Sequence, residues 1–207
     1  KYTYYLLHVS DFFTKTDLSR KDAENIISET LNNCDDGELY LENSKSESIV
    51  LDDDKIKSSS YSSDLGYGLR AVTGEVVAYS HSNEISRNSL KQSANNLSST
   101  LKSQKGIYNH EIPKTNEKLY KDINPIDEKS LESKLELLKK VNSYTRAKGG
   151  IVQQVTASFA GEYKSIEIIR SGGEVLTDVR PLIRFNVSVM LETVSYTHLT
   201  LPTKWIV

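Results

Sequence analysis

A few short stretches hold residues whose types and spacing could do chemistry. Gly66-Tyr67-Gly68-Leu69-Arg70-Ala71 fits the loose dinucleotide fingerprint, with alanine in third place. That fingerprint works between a strand and a helix N-terminus, where free amides meet a pyrophosphate. Val72, Val76 and Val77 continue here as strand, so the two glycines are better explained by a bulge or close sheet packing. His110-Glu111 opens like a zinc-protease helix, which needs a second histidine about one turn later on the same face. Pro113, Lys114 and Thr115 follow instead, and the match fails. Asp52-Asp53-Asp54 could attract calcium, but alternate acids, a central glycine and a closing glutamate are missing, and a solvated hairpin turn fits better. His8, His81 and His198 form no pair with ligand spacing, and the many serines include no Gly-x-Ser-x-Gly elbow. Cys34 stands alone before Asp35, Asp36 and Gly37, with no neighbouring base or cation to activate its thiol. From residue types alone, no catalytic, cofactor-binding or metal-binding set emerges.

The elements that must position these residues alternate in kind. Ser19 is a plausible N-cap for a helix in which Ala23, Ile26, Ile27 and Leu31 recur at helical spacing, closed by Gly37. A meander of four or five strands follows: Leu39 with Leu41, Ile49 with Leu51, Lys55–Ser60, Leu65–Val72, and Glu75–Ser80 after a turn at Thr73-Gly74. Asn83 is a candidate cap for a second helix with Ile85, Leu90, Ala94, Leu97 and Leu101 on its apolar face, ended by Gly106. A polar connector leads to Pro125 and a further N-cap at Asp127. The stripe Leu131, Leu135, Leu138 and Val141 follows, with Glu136 and Lys140 as an i,i+4 pair and Gly149-Gly150 as terminator. Strand signals return over Ile151–Phe159, Tyr163–Arg170 and Arg180–Leu191, with a turn at Ser171-Gly172-Gly173. Segregated runs of this kind imply an α+β fold: an antiparallel β-meander with packed helices, then another helix and further antiparallel strands.

A length of 207 residues suits one large or two small domains, and a hydrophobic content of 37% suggests thin layers with much wetted surface. A net charge of −2 with interspersed signs gives no basic face for nucleic acid. No stretch is apolar for long enough to span a bilayer as a helix. One cysteine cannot make an internal disulfide, which favours a cytoplasmic setting. The chain starts at Lys1 and its sole methionine is Met190, so it is expected to be the amino-terminal part of a larger protein.

Several blocks then carry a resemblance. They are Glu38–Glu42 with Ser46–Leu51; Ser60–Val72; Leu119-Tyr120, Asp122 and Pro125 leading into Lys134–Val141; Val155–Ser158; and Asp178–Arg184 running into Val187–Val189. In order and spacing they resemble the TldD family, the TldD/PmbA zinc metallopeptidases formerly called modulators of DNA gyrase. The Asp178–Arg184 block makes the TldD branch look closer than its PmbA (TldE) sister. The resemblance implies a cytoplasmic peptidase in which a TldD subunit pairs with its PmbA/TldE-like sister around a chamber that cleaves unfolded or extended peptides. It also implies that zinc in the parent is held by a His-Glu-x-x-x-His helix and a later cysteine, beyond where this chain stops resembling the family. No cofactor is therefore expected here, and the piece alone is expected to be inactive, supplying chamber walls and a sheet edge to which a peptide could add as a strand. Arg70, Arg180 and Arg184 could bind a substrate carboxylate or the sister subunit, but ordinary surface or intramolecular pairing is the better expectation. The other reading is a non-enzymatic binding or assembly module, belonging to a PmbA-like subunit or a gyrase-associated regulator. The expected domain is 1–192, with a sub-boundary in the 105–126 connector. Val194–Lys204 departs from the family and resembles translated sequencing-adapter read-through, so 193–207 is expected to be a frayed or loosely docked tail.

Overall fold

The computed structural model describes residues 12–101, 106–107, 117, 119–170, 173–192 and 204–206. In chain order the elements are α1 (Arg20–Leu31), β1 (Asp36–Asp52), β2 (Lys55–Thr73), β3 (Val76–Ser82), α2 (Arg87–Leu101), α3 (Leu131–Arg146), β4 (Val152–Arg170), β5 (Val175–Leu191) and β6 (Lys204–Ile206). The strands form one antiparallel sheet in the order β3-β2-β1-β4-β5-β6, so the fold is α+β as expected. Tight turns make the hairpins. Asp53 and Asp54 join β1 to β2 at φ of 46° and 65°, the left-handed pair that matches strand twist and that aspartate tolerates. Gly74 turns β2 into β3 at φ 58°, in the register Thr73↔Val76 through Tyr67↔Ser82.

The strands are longer and fewer than the sequence suggests. Leu39–Leu41 and Ile49–Leu51 belong to one strand, because the polar run between them contains no breaker and keeps its pairing. Lys55–Ser60 and Leu65–Val72 fuse in the same way into β2. The segments on either side of Gly161 are one strand as well: a Cβ there would lie 3.2 Å from Ile126 Cγ1, so this glycine serves close approach and breaks nothing. β5 begins at Val175, ahead of Arg180. The turn at Ser171-Gly172-Gly173 lies partly outside the described residues; Gly173 takes φ 83° and donates its N–H to Arg170 O.

Helix ends also shift. Ser19 caps α1 as expected, its hydroxyl accepting from Asp22 N, but α1 stops at Asn32 in the right-handed region and Gly37 already lies in β1. Ser86, not Asn83, caps α2 by accepting from Ser89 N. Ser130, not Asp127, caps α3, because the Asp127 carboxylate is engaged by Lys45 and Asn124. Ala147 closes α3 in the right-handed region, so Gly149-Gly150 supplies no left-handed cap. No ion pair forms between Glu136 and Lys140 among the described residues. Within the tail expected to be frayed or loosely docked, Lys204–Ile206 form a three-residue strand, with Arg184 opposite Trp205.

The chain divides into two compact units. The first comprises 1–44, 64–121 and 164–179; the second comprises 45–63, 122–163 and 180–207. Each of the four long strands contributes to both. The first unit's core joins Ile27 and Leu31 of α1, Leu39, Leu41, Leu69 and Ala71 of the strands, and Leu90, Ala94 and Leu97 of α2. The second unit's core is smaller: Ile49, Leu51, Ala157 and Phe159 meet Leu138, with Leu135, Val141, Ile183 and Phe185 half-buried around them. Each fully buried leucine or isoleucine contributes about 2 kcal/mol through removal from water.

Candidate functional site

In the first unit, charge is tied up internally. Arg70 of β2 donates to both Glu38 oxygens at 2.7 and 2.8 Å and to Asp36 at 2.6 Å. Arg170 of β4 donates to the other Asp36 oxygen at 2.5 Å. Burial pushes the Asp36 carboxyl up, but the hydrogen bond and charge of Arg70, together with Arg170, outweigh it and hold Asp36 below the usual aspartate range. Arg70 is therefore the paired arginine the sequence favoured, its guanidinium more basic than usual because Glu38 and Asp36 bond its charged form. Arg20 grips the fully buried Glu167 with two hydrogen bonds, at 2.5 and 2.9 Å. Asp35 accepts from the backbone amides of Gly74 and Ile107, which lower its pKa and tie the β2–β3 turn and the segment after α2 to the start of β1.

In the second unit, Lys134 of α3 is buried. Its ammonium donates to Glu47 of β1 and, at 2.7 Å, to Ile126 O, and it lies 5.5 Å from the centre of the Phe159 ring. On β5, Arg180 and Arg184 are both exposed. Arg184 lines a cleft of about 350 Å³ with Glu162, Leu182, Ala160 and the serines at 46, 48 and 60. The sequence did not single out this serine-lined cleft, since serines spread over two strands, β1 and β2, form no linear motif.

The second unit also holds a bare sheet edge. Residues 55–63 of β2 are exposed throughout. β1 lies on one side of β2, and β3 on the other pairs only with Tyr67–Thr73. Among the described residues no strand pairs with the outer edge of Lys55–Tyr61. Unpaired N–H and C=O groups in extended backbone are a template for another strand.

Metal-ligand chemistry finds no support among the described residues, where no group of three or more His, Cys, Asp or Glu comes together. Cys34 is buried after α1, burial raises its thiol pKa, and Sγ points to Thr30 O. His81 on β3 stacks on Tyr79 at 5.8 Å; His8, His110 and His198 lie outside the described residues. The described residues do not fit a zinc site. The Gly66–Ala71 stretch is strand throughout, with no following helix N-terminus, so the nucleotide fingerprint fails in three dimensions. No described helix is long and apolar enough to cross a membrane.

Similar proteins place this fold. Residues 37–100 match the family model for the PmbA/TldA metallopeptidase domain 1, and residues 124–198 match that for the PmbA/TldA metallopeptidase central domain. A metalloprotease TldD homolog from Buchnera aphidicola of Acyrthosiphon pisum is 35% identical over 159 residues, covering 76% of this chain and 33% of the relative. The homolog from Haemophilus influenzae is 34% identical, covering 77% and 34%. Two solved structures share the fold. A modulator of DNA gyrase from Bacteroides thetaiotaomicron has a TM-score of 0.63 at 15% identity, covering 87% of this chain and 43% of that one. TldE from Thermococcus kodakarensis has a TM-score of 0.62 at 12% identity, covering 88% and 41%. The chain thus spans little more than a third of the curated relatives it matches. Matched by two successive domain models of one family across more than half its length, the chain belongs to the PmbA/TldD metallopeptidase family.

Proposed function

We propose that this chain is the scaffold and peptide-presenting part of a TldD-type zinc metallopeptidase. The observation that carries the reading is the exposed outer edge of Lys55–Tyr61, combined with the family to which the chain belongs. An extended peptide adds to that edge as a further strand. Main-chain hydrogen bonds supply affinity without reading sequence, which suits a peptidase that takes unfolded chains. Zinc belongs to parts of the parent outside these residues. When bound there, it supplies a water of lowered pKa for hydrolysis. The role of this chain's residues is to hold the peptide extended and exclude competing conformations. A PmbA/TldE-like sister subunit and a cytoplasmic setting complete the proposal.

The test extends the polypeptide to the length of its relatives. Metal content and chelator-sensitive cleavage of an unstructured peptide are then compared between the extended and the present chain. The expected result is tightly held zinc and cleavage only in the extended form. Stoichiometric zinc in the present chain, or an extended form with no metal and no cleavage, overturns the reading.

A further inference from the structure

The first unit carries a second concave feature that the peptide-edge reading does not use. A cleft of about 220 Å³ opens where β1, β2 and β3 run side by side. Gly66 and Gly68 of β2 leave it open. A Cβ on Gly68 would meet Tyr79 Oη at 2.5 Å, and one on Gly66 would meet Ser82 O at 2.9 Å. Gly68 therefore lets the Tyr79 phenol lie against the strand, where a larger residue would lift it away, and Gly66 lets the backbone at Ser82 come close. Tyr79 is nonetheless 64% exposed, so much of its surface faces solvent. Tyr40 forms part of the opposite wall and donates its hydroxyl to Glu42 Oε2 at 2.6 Å, which fixes the carboxylate.

Charge in the cleft is one-sided. Glu42 and Asp64 line it, and no lysine, arginine or histidine does. Glu42 is half-buried, and among the described residues no cation pairs with it. This differs from the neighbouring carboxylates Asp36 and Glu38, which are both bound by Arg70. A fixed, half-desolvated carboxylate beside aromatic rings favours a cation on two counts, charge-assisted hydrogen bonding and attraction to the ring face. An anion would be repelled, and an apolar group would desolvate Glu42 without compensation. The volume admits one long side chain.

We propose that this cleft is a subsite for a lysine or arginine side chain of an extended peptide, its cationic head seated on Glu42 beside Tyr79. The proposal rests on the peptide-binding reading and adds a preference that main-chain pairing cannot give. The test uses blocked Gly-Lys-Gly and Gly-Arg-Gly peptides, with norleucine and glutamate counterparts, titrated into isotope-labelled chain and followed by amide shifts. Basic peptides should bind about tenfold tighter than the norleucine peptide, with shifts at Tyr40, Glu42, Gly68 and Tyr79. Glu42→Gln and, separately, Tyr79→Leu should remove that preference while leaving the unfolding midpoint unchanged. Both variants should still show exchange protection at Lys55–Ser63 by a longer lysine- and arginine-free peptide. Equal binding of lysine and norleucine peptides, or a preference that survives Glu42→Gln, overturns the subsite alone. Absence of protection at Lys55–Ser63 by the longer peptide overturns the peptide-edge reading on which the subsite depends.

Discussion

At the scale of single residues, paired charges in poorly hydrated positions carry much of the specificity of this fold. Lys134 and Glu47 are the sharpest case, with side chains 6% and 12% exposed. Lys134→Met should destabilise the second unit by about 3 kcal/mol, because Glu47 loses the ammonium it pairs with in a site that solvates it poorly. Lys134→Met with Glu47→Leu should recover most of that loss, since well-packed apolar groups often match a buried pair; a urea double-mutant cycle checks this. Acid should act through Asp36 and Asp35, both held below the ordinary aspartate value of 3.8. Each is depressed in the folded state, so its contribution is complete above the unfolded value and drains away as pH falls through the folded one. Stability from this source should be level from about pH 7 to 5 and decline below about pH 4, with a shallower decline in Asp35→Asn, as read by urea midpoints. Little of this was legible in the sequence. Arg70 could be weighed as a paired arginine, but nothing local to Lys134 or Glu167 marks them as buried, because their partners lie 87 and 147 residues away.

Among the elements, period was easier to read than boundaries. The apolar faces of α1 and α2 emerged directly from helical spacing, since Ala23, Ile27, Leu31, Leu90, Ala94 and Leu97 are indeed buried. Caps were harder. Asp127 and Asn83 have suitable side chains, but Asp127 is taken by Lys45, a partner 82 positions away, while serines closer to the helices do the capping. Ser130→Ala should therefore cost about 1 kcal/mol, measured by thermal unfolding, whereas Asp127→Ala should leave the α3 terminus intact. The long strands hid because serine and asparagine runs usually mark loops. Here they continue as strand on wetted parts of the sheet. At the β1–β2 turn, Asp54 sits at φ 65°, where glycine has no Cβ penalty. Asp54→Gly should hold or raise stability by up to about 1 kcal/mol, whereas a β-branched residue there should lower it.

For the molecule as a whole, the order helix, strands, helix, helix, strands and the α+β class were readable from the changing period of apolar residues and the turn residues between them. Of the crossings between the two compact units, one, between 121 and 122, falls within the 105–126 connector; the others run inside the four long strands, where no linker or change of composition marks them. The family was legible only through blocks of residues that resemble it, because residue types offer no catalytic motif and no metal-holding group of His, Cys, Asp or Glu comes together among the described residues. On the proposed function, the outer edge of β2 is the working surface of this chain and bond cleavage belongs to parts of the parent outside it. Hydrogen-exchange mass spectrometry of the chain with an unstructured peptide reads both points at once. The predicted result is slowed exchange within Lys55–Ser63 on peptide addition, with the peptide recovered at its original mass. Unchanged exchange in that segment, or chelator-sensitive shortening of the peptide, would contradict it.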